Sequence, residues 1–201
     1  MEGVAEMTVF QYFHHVDQHV TLWLNSLNSP VSDMVWKFFS EELVWIPLYL
    51  LVIFFFFRNL GWKRALLAIA ACLLTFACCD QVSGIVKDWI QRLRPCWDLN
   101  MVDAGLNILE GKGGRYGFFS AHAANTMGFA VCSYMCFKAD VRRKYNGYGL
   151  LIFLWAVLVG LSRVFVGKHF LGDVCVGVAA GALFGWIFGR IAGLVGSKFS
   201  L

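Results

Sequence analysis

The chain has 201 residues, of which 59% are hydrophobic and only 15% are charged, and its mean hydropathy is +0.63. Such a composition is far more apolar than that of a soluble domain and predicts a protein of the lipid bilayer. The formal net charge of +4 is small, and the basic residues are scattered between apolar runs, which argues against nucleic acid as a partner.

The N-terminal segment predicts helices that lie on the membrane rather than across it. From Val9 to Leu27, apolar residues recur at helical spacing and polar residues occupy the opposite face, as in an amphipathic interfacial helix. The apolar face comprises Phe13, Val16, Val20, Leu24 and Leu27, and the polar face comprises His15, Gln18 and Asn25. Ser29 and Pro30 then precede a short second helix that ends near Glu41 and Glu42.

Five stretches are apolar enough to cross a hydrocarbon core of about 30 Å. They are Leu43 to Phe57, Ala65 to Val86, Phe118 to Phe137, Tyr148 to Val166 and Phe170 to Val195. The last stretch carries a glycine at every fourth position from Gly177 to Gly189, a spacing that lets a neighbouring helix approach closely. Asp80, inside the second stretch, is expected to make a hydrogen bond within the bundle.

The predicted fold class is therefore all-α: an integral membrane helical bundle of about five transmembrane helices with an N-terminal amphipathic interfacial helix. No linker or composition break divides the chain, so we expect a single domain, with interfacial helices in residues 1–42 and the transmembrane core in residues 43–201. The first residues, including Glu2 and Glu6, lack the basic-then-apolar pattern of a cleaved signal peptide. We expect insertion to use the chain's own spans.

The distribution of lysine and arginine predicts the orientation of the bundle. One side carries Arg58, Lys63, Arg64, Lys138, Arg142, Arg143, Lys144, Arg190 and Lys198. The positive-inside rule makes that side cytoplasmic and places the long loop from Lys87 to Gly117 on the outer side.

Neither the cysteines nor the N-terminal histidines are spaced like the ligands of a metal site. The seven cysteines show neither a disulfide framework nor a zinc pattern, and we interpret them as small buried residues. His14, His15 and His19 lie near Asp17, but an interfacial helix accounts for them without a ligand geometry.

Lys87 and Arg94 form the first of three polar groups at the outer ends of the spans, where polar residues are costly and indicate function. They are seven residues apart, about two helical turns, so both project to one face if the helix persists that far. A lysine charge and an arginine fork suit a phosphoryl group. This pair alone is weak evidence for a phosphate site, because lysine and arginine also extend from span ends toward water for no functional reason.

The second group is a glycine-rich loop, residues 113–117, that leads into the third span. Ser120 is expected to cap this helix, and the free backbone N–H groups after it would bind an anion. His122 would lie one turn inside. Taken alone, it would be interpreted as a buried histidine with a satisfied hydrogen bond.

The third group runs from Ser162 and Arg163 to His169 and Asp173. His169 and Asp173 are expected four residues apart on one helix, so that the carboxylate can accept a hydrogen bond from one ring nitrogen and leave the other free for attack. Arg163 adds a third cation. The outer loops offer no further carboxylate or histidine at metal-like spacing, so no metal site is predicted.

Together these residues resemble the three ordered signatures KxxxxxxRP, PSGH and SRxxxxxHxxxD of the type-2 phosphatidic acid phosphatase superfamily. Lys87 with Arg94-Pro95, then Ser120 with His122, then Ser162 to Asp173 agree with them in order and in spacing. Two positions differ, because Phe119 replaces the proline and Ala121 replaces the glycine. Ala121 keeps the amide donor but tolerates a left-handed backbone poorly.

The resemblance implies a double-displacement phosphatase that uses no metal ion or other cofactor. His169 would attack phosphorus to form a phosphohistidine, Asp173 would hold its tautomer, and His122 would protonate the leaving oxygen and then activate water. The phosphoryl oxygens would be bound by Lys87, Arg94, Ser120, the Ala121 backbone amide and Arg163. Charge spread over phosphoryl oxygens calls for such positioned cations and N–H donors.

The expected substrate is a lipid pyrophosphate or monophosphate in the outer leaflet, with undecaprenyl diphosphate preferred and lipid A phosphates or phosphatidylglycerol phosphate as alternatives. The expected location is a bacterial inner membrane, crossed several times, with the site facing the periplasm. The partners are this lipid phosphate and the bilayer, without nucleic acid or an obligate protein partner. Two other classes remain open. One is a vanadium-dependent haloperoxidase, but those members of the superfamily are soluble and the apolar spans of this chain argue against it. The other is a non-catalytic bundle, which the presence of His122, His169 and Asp173 disfavours.

Overall fold

The computed structural model describes residues 8–198, so that Glu2 and Glu6 lie outside the described residues. The described chain is helical, with an isolated bridge between Leu93 and Tyr116 as its only β-type pairing, and this confirms the all-α prediction. The helices are α1 (Val9–Asn25), α2 (Pro30–Ser40), α3 (Ile46–Leu60), α4 (Trp62–Ile90), α5 (Leu99–Asp103), α6 (Ala121–Lys138), α7 (Asn146–Phe165) and α8 (Leu171–Lys198). Short 3₁₀ turns at Leu43–Trp45 and Pro95–Trp97 precede α3 and α5.

Four of the five predicted spans are long and apolar enough to cross a membrane by themselves. They are Leu43–Leu60, which joins the first 3₁₀ turn to α3, and the helices Trp62–Ile90, Asn146–Phe165 and Leu171–Lys198. Helix α6 is less apolar, and the reason is its place in the bundle. Eleven of its 18 residues are buried, so neighbouring helices shield it from lipid and its sequence need not be uniformly apolar.

Glycines in α8 bring its backbone against that of α6. A Cβ atom added at Gly177 would lie 2.5 Å from the carbonyl oxygen of Ser120, and one added at Gly181 would clash with the carbonyl of Ala124. The close approach predicted from the glycine spacing is confirmed. It fixes the start of α6 against the start of α8, where the backbone N–H of Ser120 donates to the Asp173 carbonyl at 3.0 Å.

The amphipathic helix predicted near the N-terminus is confirmed as α1, which begins with a capping box between Thr8 and Gln11. Several of its polar residues face the bundle, and Thr21 and Asn25 are fully buried, whereas His15 and His19 are exposed. The Asn25 amide donates to carbonyl oxygens of residues 107, 164 and 165 at 3.0 to 3.2 Å. Most of the apolar face points outward and exposes Val9, Phe13, Val16, Val20, Trp23 and Leu27, whereas Leu24 packs against buried residues of the bundle.

The basic residues assigned to one side of the bundle do lie at one end. The Arg142 side chain donates to the carbonyl of Asn59 at 3.1 Å, which joins the loop before α7 to the turn between α3 and α4. Lys138 and Arg190 line one cavity at this same end. The long outer loop and the starts of α6 and α8 form the opposite end.

Candidate active site

All three groups of polar residues predicted from the sequence meet at the end of the bundle opposite the basic one. Gly117 shows this convergence most directly. A Cβ atom placed there would lie 3.0 Å from Arg94 Cγ, 3.2 Å from Asp173 Oδ2 and 3.5 Å from His169 Nδ1. Glycine at this position therefore lets the outer loop pass close over the histidine, the carboxylate and the arginine.

Lys87 and Arg94 reach the site from different backbone segments, because the helix does not persist as far as Arg94. Helix α4 ends at Ile90, and Gln91 adopts a left-handed conformation with φ of 54°. Lys87 lies in the last turn, whereas Arg94 lies in an extended segment, where its N–H donates to the Arg115 carbonyl at 3.0 Å. Arg94 Nε donates to the Tyr116 carbonyl at 3.1 Å, which fixes the direction of the guanidinium.

His169 lies in the link between α7 and α8 and is 2% exposed. The sequence placed it with Asp173 on one helix, but α8 begins at Leu171, so this expectation was wrong. The pair still meets, with His169 Nδ1 3.5 Å from Asp173 Oδ2, although no hydrogen bond forms. Asp173 Oδ2 instead accepts the N–H of Phe170 at 3.1 Å, because a carboxylate in the first turn caps the start of a helix.

Burial and surrounding cations keep the His169 ring neutral. Burial is the largest cause that lowers the pKa of His169 well below its usual range, and the charges of Arg94, Arg163 and Lys87 lower it further. The same charges that would bind a phosphoryl group therefore also disfavour protonation of the ring. A neutral imidazole keeps a lone pair and can act as a nucleophile.

Arg163 lies in the last turn of α7 and is 5% exposed. Its Nη1 donates to both the side chain and the carbonyl of Ser40, at the end of α2, and lies 3.6 Å from Glu110 Oε2. Its Nε atom has no hydrogen-bond partner within the described chain. The Nη1 side of the guanidinium is thus held by Ser40, and Nε remains without a protein partner in the described chain.

Ser120 caps α6 as predicted: its Oγ accepts the backbone N–H of Ala123 at 3.4 Å. Ala121 and His122 are the next two residues, and backbone N–H groups in a first helical turn have no acceptor within their own helix. His122 Nε2 lies 3.0 Å from Glu42 Oε1. The hydrogen bond to His122 lowers the pKa of Glu42 below its usual range.

A cavity of about 370 Å³ opens beside His122. Three carboxylates line it, Glu41 and Glu42 from the start of the first span and Asp80 from α4. Asp80 Oδ1 accepts the amide N–H of Asn125 at 2.8 Å, so the hydrogen bond expected of Asp80 inside the bundle is confirmed. Lysine and arginine are absent from the lining residues, which makes this cavity an acceptor-rich neighbour of the cationic site.

Two charged contacts near the site were not predicted from the sequence. One is Glu42, which the sequence marked only as a helix end. The other is Arg92, which bridges Asp173 and Asp17 at 2.7 and 2.6 Å. A signal for Arg92 was present: in an extended segment alternate residues point to the same side, so Arg92 and Arg94 share a direction.

Possible metal ligands do not gather at any place in residues 8–198, where no three of the histidine, cysteine, aspartate and glutamate side chains form a cluster that could hold a metal ion. The rings of His15 and His19 stack with centroids 4.9 Å apart on α1. His14 Nδ1 lies 3.1 Å from the Arg92 guanidinium.

A buried histidine among three cations, with a second histidine at a capped helix start, is an arrangement that suits a phosphate group in a membrane protein. The chain belongs to the PAP2 superfamily, whose family model matches residues 64–194. This confirms the resemblance drawn from the three signatures.

The chain is similar to two proteins named lipid A 4′-phosphatase. The protein of Bacteroides thetaiotaomicron is 30% identical over 92% of this chain and 80% of the relative. The protein of Porphyromonas gingivalis is 30% identical over 87% of this chain and 72% of the relative. It is also similar to phosphatidylglycerophosphatase B of Bacillus subtilis, with 27% identity over 80% of this chain and 71% of the relative.

The fold is shared with a solved structure, the transmembrane PAP2 type phosphatidylglycerolphosphate phosphatase from Bacillus subtilis. The TM-score is 0.70 with 20% identity, and the match covers 90% of this chain and 86% of that one. The family and the phosphatase relatives establish that this chain is a multi-pass membrane enzyme that hydrolyses lipid phosphates.

Proposed function

We propose that this enzyme removes a phosphate from a sugar of a membrane lipid, as in the 4′-phosphate of lipid A, through a phosphohistidine on His169. The observation that carries the proposal is the acceptor-rich cavity beside His122. Two relatives named for this activity, each aligned over most of its length, support the same choice.

The cavity bears on the substrate because His122 would protonate the leaving oxygen, so the leaving group would lie on its side of the phosphate. Glu41, Glu42 and Asp80 accept hydrogen bonds, and they suit a leaving group that offers hydroxyl or amide N–H donors. A sugar offers such groups. Undecaprenyl diphosphate, preferred on sequence alone, stays a prediction, but its leaving group is a phosphate anion that three carboxylates would repel.

In the first half of the proposed reaction, His169 Nε2 forms a bond to phosphorus while the bond from phosphorus to the leaving oxygen breaks. His122 gives its proton to that oxygen. Asp173 Oδ2 lies 3.5 Å from His169 Nδ1 and would hold the tautomer that leaves Nε2 free once the two atoms approach to hydrogen-bond distance. In the second half, water attacks phosphorus, His122 takes a proton from that water, and the bond to His169 breaks to release inorganic phosphate.

The phosphoryl oxygens would be bound by Lys87, Arg94 and Arg163, by the Ser120 hydroxyl and by the amide of Ala121. Cations and N–H groups held in place before the reaction stabilise charge that spreads over phosphoryl oxygens in the transition state. The replacement of the family's glycine by Ala121 is compatible with this role. Ala121 begins α6, and none of residues 119–122 has a positive φ.

We place the enzyme in a bacterial inner membrane as a single domain, with the site facing the periplasm. Support comes from the basic residues gathered at the opposite end of the bundle. Labelling with a membrane-impermeant maleimide tests the orientation. Lys112→Cys should be labelled in intact cells and Lys144→Cys only after permeabilisation, with the parent chain as background; the reverse pattern would invert the assignment.

Phosphate release from a substrate panel tests the proposed activity. Purified enzyme in detergent is given lipid A, phosphatidylglycerol phosphate, undecaprenyl diphosphate and phosphatidic acid, and the dephosphorylated lipid is identified by mass spectrometry. We expect the highest kcat/KM on lipid A, with loss of the 4′-phosphate. A higher kcat/KM on undecaprenyl diphosphate than on lipid A would reject the proposal that the enzyme removes its phosphate from a sugar.

The variant Asp80→Asn tests the cavity itself. Because Asn keeps the shape and loses the charge, it should lower the ratio of kcat/KM for lipid A to that for phosphatidic acid, which has no headgroup beyond its phosphate. An unchanged ratio would show that the cavity does not select the substrate.

A further inference from the structure

Arg92 connects the N-terminal helix to the carboxylate beside the candidate nucleophile. Its Nη1 donates to Asp173 Oδ1 at 2.7 Å, and its Nη2 donates to Asp17 Oδ2 at 2.6 Å. The guanidinium lies over the ring of Phe170, 4.2 Å from its centroid. The Arg92 side chain is only 15% exposed, so these contacts are shielded from water and salt.

Arg92 decides which way the Asp173 carboxylate faces. Asp173 is fully buried, and one of its oxygens is occupied by Arg92. The other oxygen is thereby turned toward His169 Nδ1 and the N–H of Phe170. Without Arg92 the carboxylate would be a buried charge with no cation bonded to it, free to rotate or to take up a proton.

Asp17 of α1 holds this arrangement from the other side. Its Oδ1 accepts the backbone N–H of Gly172 at 2.8 Å, one residue before Asp173, while its Oδ2 pairs with Arg92. A Cβ atom at Gly172 would lie 2.6 Å from Asp17 Oδ2, so a glycine there permits the contact. One carboxylate of α1 therefore binds both the start of α8 and the arginine that orients Asp173.

We infer that Arg92 is a positioning residue for the hydrolysis and that Asp17 positions Arg92, which makes α1 part of the catalytic apparatus. The inference rests on the proposed role of His169. Helix α1 has a polar face that binds the site and an apolar face that is exposed. Seating of α1 against the bundle would thus be needed for turnover, and the chain before the first span would serve more than attachment to the membrane.

The test compares Asp17→Asn with Gln18→Ala, both on the polar side of α1. Gln18 donates to Asp98 Oδ2 at 2.9 Å and is a matched control, since it attaches α1 to the outer loop without contacting Arg92. On a short-chain lipid phosphate, we expect Asp17→Asn to lower kcat by about 10-fold with KM changed less than about twofold. Gln18→Ala should keep kcat within about twofold.

Arg92 itself is tested by chemical rescue. Arg92→Ala should lower kcat by about 100-fold, and guanidinium added at millimolar concentration should restore part of it. Arg92→Lys should retain more activity than alanine but less than the parent, because an ammonium cannot bridge two carboxylates as a planar fork does. If Arg92→Ala does not fold, Asp17→Asn and Arg92→Lys decide the question.

The outcomes separate this inference from the proposed function. If His169→Ala is inactive but Asp17→Asn and Arg92→Lys both keep the parent kcat, the inference fails and the nucleophile stands. An equal loss of kcat in Asp17→Asn and Gln18→Ala, with equal falls in melting temperature, would also overturn it, because attachment alone would then explain the effect. Turnover by His169→Ala at the parent rate would instead reject the proposed function.

Discussion

Glu42 Oε1 lies 3.0 Å from His122 Nε2, so a carboxylate at the start of the first span meets the ring proposed as acid and base. An aspartate or glutamate beside a catalytic histidine stabilises the imidazolium that forms when the ring takes a proton. Glu42 comes from the junction of α2 and α3, and His122 from the start of α6. Two distant parts of the chain thus combine at the leaving-group side of the site.

We expect Glu42→Gln to lower kcat by about 3-fold to 10-fold, because the amide keeps the size of the side chain but loses the charge that favours the imidazolium. The measurement is phosphate release from a short-chain lipid phosphate at saturation. Asp103→Asn, on the exposed outer helix α5, serves as the control. Equal kcat values for the parent and both variants would exclude a role for the Glu42 charge.

The acid limb of kcat/KM is expected well below the ordinary histidine pKa of about 6.5. Burial first, and then the charges of Arg94 and Arg163, lower the pKa of His169. A lowered pKa leaves the ring neutral at every pH above the lowered value, so the nucleophile is lost only when the pH falls below it. The profile is recorded between about pH 4 and about pH 9 and corrected for the ionisation of the substrate; a limb centred near 6.5 would contradict the expectation.

Vanadate should inhibit competitively with the lipid phosphate, because the cations around His169 would bind it where the phosphoryl group binds. His169→Ala should lower kcat by more than about 10³-fold, because alanine has no ring nitrogen to attack phosphorus. Steady-state inhibition and turnover by the variant are the two measurements. Inhibition that leaves KM for the lipid unchanged would place vanadate outside the phosphate pocket.

Turnover should continue in the presence of a chelator, because the proposed reaction uses cationic side chains and two histidines. The assay measures phosphate release before and after treatment with EDTA. Complete loss of activity, restored by a divalent ion, would overturn the metal-free route.

Close packing of α8 on α6 should make Gly181 sensitive to a single added methyl group. A Cβ atom there would clash with the Ala124 carbonyl, so Gly181→Ala should lower the free energy of unfolding by about 1 to 3 kcal/mol. Gly193, on the same helix, has nothing within 4 Å of an added Cβ, and Gly193→Ala should cause no loss. Melting in detergent compares them, and equal stabilities would show that the helices can separate to make room.

Local sequence was a good guide to the bundle and a partial guide to the site. Apolar runs indicated the spans because a bilayer demands long apolar helices, and the glycine spacing indicated that a neighbouring helix packs closely on α8. The sequence placed His169 with Asp173 on one helix, which was wrong, and the condition that one helix reach from Lys87 to Arg94 is not met. Helix α4 ends before Arg94 and helix α8 begins after His169, and the residues still meet because separate backbone segments return to the same place.

The sequence by itself determined that this protein enters a membrane and carries the histidines and cations of a phosphatase, because composition and short motifs are local properties. Only the tertiary structure decided that Glu42 meets His122, that Arg92 joins Asp17 to Asp173, and that α1 turns its polar face inward. The pairs of Arg92 with Asp17 and Asp173 join residues 75 and 81 positions apart. Contacts over such separations depend on how whole helices pack, and no periodicity within one segment records them.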